Sequence, residues 1–170
     1  RMRRPERRQQ IRERVGWLRD RIPGLTLRTT VIVGFPGETE EDFGEMLDLL
    51  GELRFDRVGA FAYSPEEGTP AATMDGQVPD HVKADRLEQL MDHQRYLSFD
   101  LNEAQIGSRQ QVLVDYITEE GCVGRTRGQA PEVDGHTRLG HAKGVVPGNM
   151  VTVEIVDAEE YDLIGRVVDA

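Results

Sequence analysis

Several groups of residues in this chain have the types and spacing to do chemistry or hold a ligand. In VIVGFPGETEEDF, residues 31–43, an apolar run gives way to Gly34-Phe35-Pro36-Gly37 and then to acids. Gly34 and Gly37 can adopt positive φ and let another molecule approach the backbone, while Pro36 removes one donor. Open α/β and barrel folds bind ligands at the carboxyl ends of strands, where this turn falls. A ligand-free joint between a strand and a helix would use the same residues. The turn is no phosphate cradle: it lacks the P-loop lysine, and Glu38 would repel phosphate. In GRTRGQAPEVDG, residues 124–135, Arg125 and Arg127 stand two apart, on one face of a regular strand. Their guanidiniums can grip phosphate or carboxylate, or neutralise nearby Glu132 and Asp134. His136 and His141 have a spacing that suits a loop metal site, but no third ligand follows a recognised pattern, so they read as surface residues. His81 and His93 fall on the polar faces of a helix. The single cysteine, Cys122, excludes an internal disulfide and cannot by itself hold an iron-sulfur cluster or structural zinc. It reads as a small buried hydrophobe.

The elements that must position these residues follow from periodicity. RMRRPERRQQIRERVGWLRDRIPG predicts a helix with Ile11, Val15, Leu18 and Ile22 on one stripe, ended by Pro23-Gly24, its basic face turned to solvent. LTLRTTVIVGF predicts a strand; Val31, Ile32 and Val33 suggest a parallel strand covered on both faces. Thr39 is the expected N-cap of the next helix, with Glu40, Glu41 and Asp42 at the positive end of its dipole. Phe43, Met46, Leu47 and Leu50 form its buried face. A second strand runs from Val58 to Ser64, followed by the loop PEEGTPAATMDGQVPD. A long helix from about Pro79 to Leu101 turns Val82, Leu87, Leu90, Met91, Leu97 and Leu101 inward. This alternation predicts a parallel β/α architecture. Two strands cannot close a barrel, so the segment reads as the last portion of a larger one, and the opening Arg1 agrees with a slice of a longer chain. Beyond Asn102, short β-rich segments separated by glycine or acidic turns predict a small antiparallel barrel or sandwich.

Charge is uneven along the 170 residues, whose net charge is −10. Residues 1–28 carry ten basic and three acidic side chains, residues 29–103 five and seventeen, and residues 104–170 six and eleven. A tail built to grip phosphates would be basic; this one is acidic, which suits either plain solvation or attraction to a basic partner. No signal peptide or membrane span is visible, so the expected location is the cytoplasm.

Three stretches, TTVIVGFPGETEEDF, RFDRVGAFAYSPEEGTPAA and GRTRGQAPEVDG in a β-rich tail ending YDLIGRVV, resemble the carboxyl-terminal half of a radical-SAM methylthiotransferase with its TRAM domain. The resemblance covers essentially the whole chain. It implies residues 1–103 as part of a TIM-like radical-SAM barrel and residues 104–170 as an OB-like all-β TRAM barrel. The run Ala130 to Gly135 resembles the branch that methylthiolates an aspartate of small-subunit ribosomal protein S-twelve. The sibling branch, which acts on an adenosine of transfer RNA, is one alternative, and a non-catalytic binding module is another.

In that family a 4Fe-4S cluster, held by three cysteines, cleaves S-adenosylmethionine to a radical that abstracts hydrogen from the target carbon. A second 4Fe-4S cluster delivers sulfur. No cluster cysteines occur here, so the resemblance implies that this chain alone is inert. The family's G-x-I-x-G-x-x-E motif packs against the cofactor's adenine. Ile32 and Gly34 match it, Thr30 takes the first glycine position, and Glu38 falls one residue beyond the expected acid. The implied cofactor contacts are Ile32, Gly34, Phe35, Pro36, Gly37 and Tyr63, though Tyr63 could instead simply fill the barrel. Thr69 and Pro70 could shape the entrance, and Arg28 and Thr29 lie near the ribose or at the barrel bottom. The implied docking surface for basic S-twelve comprises Arg125, Arg127, Pro131, Glu132 and Asp134; the alternative is an internal salt bridge bracing the loop. The acidic tail makes direct RNA binding less favoured. An open barrel edge without its neighbours also predicts aggregation.

Overall fold

In the computed structural model, the backbone is described for residues 7–169. The first six residues of the predicted opening helix, Arg1 among them, lie outside that range. The chain divides into two compact units, one ending at Gln94 and the next beginning at Arg95.

In the first unit, α1 (Arg8–Arg21), β1 (Arg28–Val33), α2 (Glu40–Leu53) and β2 (Arg57–Ala62) follow one another, then a short 3-10 turn at Pro70–Thr73 and the start of α3 (Asp80–Glu103). The two strands pair in parallel, from Arg28 opposite Arg57 to Val33 opposite Ala62. α2 starts as expected: Thr39 Oγ1 accepts the Asp42 N–H, and the Asp42 carboxylate accepts the Thr39 N–H, satisfying two otherwise unpaired donors. Its far end is covered from α1, where Arg19 donates to the carbonyls of Leu53 (2.6 Å) and Arg54 (2.8 Å). Val15, Val33, Phe43, Leu50, Leu53, Phe55 and Leu90 form the core.

The strand β1 does not have both faces covered. Thr29, Val31 and Val33 are partly or wholly buried, whereas Arg28, Thr30 and Ile32 are exposed, because the core packs on one face only. The basic side chains of α1 are likewise not simply solvated. Arg8 pairs with Glu45, and Arg12 makes three hydrogen bonds of 2.7–2.9 Å to the Glu52 carboxylate, so basic α1 neutralises acidic α2. Ile22, expected on the buried stripe, is the exposed residue just past the helix.

The inward side of α3 also differs from the apolar stripe that periodicity predicts. Met91 is exposed, and the buried positions are Lys83, Arg86, Leu90, Gln94, Ser98 and Asn102. These recur every three or four residues, as one helical face requires. Polar groups survive there because they find partners: Gln94 donates to the Phe55 carbonyl at 3.3 Å, and Asn102 donates to the carbonyls of Glu159 and Glu160 at 3.0 and 3.3 Å. His93 also departs from expectation: its Nε2 is buried and would stand 3.3 Å from a Cβ placed on Gly51.

The second unit holds a closed five-stranded barrel in the order β3-β4-β5-β7-β6, with β6 pairing back to β3. Its strands are β3 (Arg109–Thr118), β4 (Gly121–Thr126), β5 (Thr137–Leu139), β6 (Met150–Ala158) and β7 (Leu163–Asp169). Closure removes free sheet edges. Val112, Val114, Cys122, Leu139, Val151, Val153, Ile155 and Leu163 fill the interior, so Cys122 is the buried hydrophobe its sequence context suggests.

Candidate functional site

The turn after β1 is held from several directions. Gly34 has φ +73°, a conformation that disfavours any side chain, and a Cβ there would lie 2.4 Å from Lys83 Cγ. The Gly34 N–H donates to Glu38 Oε1 (2.8 Å), the Glu38 N–H to the Phe35 carbonyl (2.9 Å), and the Gly37 N–H to the Gly76 carbonyl (2.8 Å). All three of these amides are therefore taken by the protein itself. Gly76 belongs to the segment after β2, so that segment borders the turn, while Thr69 Oγ1 donates to the Glu66 carbonyl at the head of the 3-10 turn.

The Tyr63 N–H donates to the Val33 carbonyl (2.8 Å), which continues the pairing of β2 with β1 by one residue. Its ring meets Phe35 edge-on at 5.3 Å between centroids, and Lys83 Nζ lies 5.6 Å from the ring centre. The Tyr63 hydroxyl is buried with no hydrogen-bond partner among the described residues. Ile32 and its register partner Phe61 are 36% and 63% exposed on the sheet face away from the core. An exposed apolar pair, a glycine turn and an aromatic edge thus occupy one strand end, an arrangement suited to a flat apolar group. Arg28 and Thr29 stand at the opposite end of β1, about 20 Å away for six residues of strand.

Two buried cations at this turn are not predicted from the sequence. Arg86 donates to Glu38 Oε1 (2.9 Å), to the Glu38 carbonyl (3.3 Å) and to Glu40 Oε2 (3.1 Å). Lys83 pairs with the exposed Asp80 at 2.9 Å. A signal was present: these are the only lysine and arginine between Arg57 and Arg95, set three apart on a helix.

In the barrel, Arg125 and Arg127 do not share a strand face. β4 ends at Thr126, which leaves Arg127 in the following turn. Arg125 pairs with Asp115, a residue skipped by the register irregularity in β3, rather than with Glu132 or Asp134. The Asp134 carboxylate accepts the Ala130 N–H at 2.7 Å, closing the loop on itself. Gln129 Oε1 anchors that loop by accepting both the Thr126 N–H and the Thr137 hydroxyl at 2.8 Å. Pro131, Glu132 and Val133 form the exposed tip, with Glu132 at φ +63°. His136 lies edge-on to Tyr116, whereas His141 Nε2 lies 3.1 Å from the Glu119 carbonyl. Among the described residues no three His, Cys, Asp or Glu side chains gather as metal ligands would.

Residues 106–168 match the family model described as TRAM domain. Across almost the whole chain the sequence is similar to three bacterial proteins, each called ribosomal protein uS12 methylthiotransferase RimO. The protein from Hahella chejuensis is 48% identical over 98% of this chain and 38% of its own length. That from Azorhizobium caulinodans is 45% identical over 99% and 37%, and that from Anaeromyxobacter sp. (strain K) 52% over 93% and 34%. The chain thus spans little more than a third of the length of these curated relatives. A likeness to the apo form of Mycoplasma genitalium RNase R, with TM-score 0.34 and 14% identity over 51% of this chain and 17% of that one, is too slight to carry an argument. The chain belongs to the RimO-type methylthiotransferase family, corresponds to its carboxyl-terminal region, and carries the TRAM domain as its closed five-stranded barrel.

Proposed function

We propose that this chain is the cofactor-edge and docking portion of an enzyme that methylthiolates ribosomal protein uS12. The observation that carries this reading is the 48% identity, over 98% of the chain, to a protein named for that activity. β1 and β2 are the last two strands of a larger radical-SAM barrel whose remaining strands cover the exposed Thr30, Ile32 and Phe61. The residues present fit S-adenosylmethionine: Ile32 and Tyr63 border the adenine, Phe35 and Gly37 supply the accessible part of the turn, and the buried Gly34 and Pro36 fix its shape from beneath. When bound, that group supplies the radical precursor and the methyl donor. This chain's part is to hold the adenine and exclude water from it.

The chain's residues do not fit the 4Fe-4S clusters, since its one cysteine is buried in the barrel. Both clusters belong to other parts of the whole protein, and this portion alone is inactive. The barrel's loop, with Arg125, Arg127, Pro131, Glu132 and Asp134, faces uS12. Its acidic segment favours a basic ribosomal protein over nucleic acid, because net negative charge opposes phosphate. The reaction is a cytoplasmic one; among the described residues no helix is long and apolar enough to cross a membrane.

The test uses the whole protein, reconstituted with iron and sulfide and given S-adenosylmethionine and reductant. Purified uS12 and unmodified transfer RNA are offered separately, and mass spectrometry looks for a methylthio group in place of hydrogen. Modification of a uS12 aspartate alone is the expected result. Modification of transfer RNA alone, or of neither, would overturn it.

A further inference from the structure

The buried cations of α3 carry an inference about how the turn after β1 keeps its shape. The side chains of Arg86 and Glu38 are 7% and 12% exposed, so this pair is shielded from water on both sides. One Glu38 oxygen, Oε1, accepts from Arg86 and from the Gly34 N–H at once. Pinning that oxygen therefore pins the glycine at which the strand ends. Arg86 also holds the Glu38 carbonyl and Glu40, which ties the turn to the first residue of α2. Its guanidinium carbon lies 5.5 Å from the centre of the Phe43 ring, so the charged head is stacked as well as paired. Lys83 works alongside it by contact: its methylenes fill the space that a side chain on Gly34 would need.

We propose that Arg86 is a positioning residue that acts through Glu38 to set the geometry of the Gly34–Gly37 turn, and so its affinity for S-adenosylmethionine. The inference rests on the reading of that turn as the adenine edge. A buried fork of donors suits the role, because a guanidinium can bind a carboxylate and neighbouring acceptors together where an ammonium serves fewer in one plane. Breaking such a pair leaves the other charge buried and unpaired, so the turn must rearrange.

The experiment measures S-adenosylmethionine affinity by equilibrium dialysis on the reconstituted whole protein, with KM for the acceptor protein measured in parallel. Variants are Arg86→Gln, Arg86→Lys, the isosteric Glu38→Gln and, as a probe of the turn itself, Ile32→Asp. Arg86→Gln and Glu38→Gln are expected to weaken cofactor binding by ~10–100-fold, the order of loss from an ångström-scale misplacement. Acceptor KM should stay unchanged, and Arg86→Lys should recover part of the loss. A merely destabilised protein would lose active fraction and kcat while its folded molecules bound cofactor normally. If Arg86→Gln fails to fold, Glu38→Gln, which keeps an acceptor for Gly34, still decides the matter. Weakened binding in Ile32→Asp, with wild-type binding in Glu38→Gln and in any folded Arg86→Gln, overturns the positioning role and leaves the adenine edge standing. Unchanged binding in all the variants overturns both.

Discussion

Gly165 of β7 has no room for a methyl group, and that crowding can be measured. A Cβ there would stand 2.2 Å from Val153 Cγ1, 3.1 Å from Leu139 Cδ2 and 3.4 Å from the Glu154 carbonyl. Its backbone does not lie in the left-handed region, so Gly165→Ala adds crowding without dihedral strain. Overpacking of this kind costs about 1–3 kcal/mol. Val153 is fully buried, and Val153→Ala alone should cost about 2 kcal/mol from lost apolar burial and a residual cavity. Together the two changes should cost less than their sum, because the new methyl occupies the space the valine vacates; a coupling of about 1–3 kcal/mol is expected. Rescue stays incomplete, since Leu139 remains close.

The chain provides its own probe in Cys122, the single cysteine, buried in the same barrel core at 3% exposure. A thiol reagent reaches it only when the barrel opens, so with fast reclosing the labelling rate follows the opening equilibrium. Gly165→Ala should therefore label about 5- to 150-fold faster than wild type. The double variant should label more slowly than the product of the two single effects. A wild-type rate for Gly165→Ala, or strictly additive effects, would refute the steric account.

The same assay tests Asn102→Ala, which strips a shared donor from the Glu159 and Glu160 carbonyls and should cost about 1–3 kcal/mol as faster labelling; an unchanged rate would mean that water replaces the amide without penalty. Glu52 tests electrostatics. Its carboxyl is held below the ordinary value first by the Arg12 hydrogen bond, against a smaller opposing effect of burial, and then by the charges of Arg12 and Arg8. A lowered folded-state pKa stabilises above the unfolded-state value, about 4.3, and that stabilisation is lost as pH falls through the folded one. Glu52→Gln should thus flatten the acid limb of Tm against pH, by a small amount that salt diminishes, since the pair is exposed; parallel acid limbs in the two proteins would contradict this.

Much of the architecture is legible in local pattern. β-branched runs mark β1, and Thr39 with Asp42 marks the start of α2, because capping needs only residues three apart. Short glycine-punctuated strands mark the barrel, although β5 pairs with β7 in parallel where an antiparallel barrel or sandwich is expected, and closure through β3 and β6 joins residues some forty positions apart and leaves no local trace. The inward face of α3 misleads for a related reason. Periodicity assigns burial to apolar side chains and so places Met91 inside, whereas Arg86, Gln94 and Asn102 are internal because remote carboxylates and carbonyls meet them. Arg125 and Arg127 show the limit at an element's end, where one residue beyond β4 changes the side chain's surroundings.

By itself, then, the amino-acid order determined the elements, the glycine turn at the end of β1 and the family, since dihedral preferences, caps and motif residues are properties of neighbours along the chain. Tertiary structure alone decided which charges are buried. Glu38, which looks like a free acid beside a turn, is the link between Gly34 and Arg86, forty-eight residues further on. That role could not be read locally, because burying a charge is favourable only when its partner is already in place, and the partner's place is a property of the whole fold.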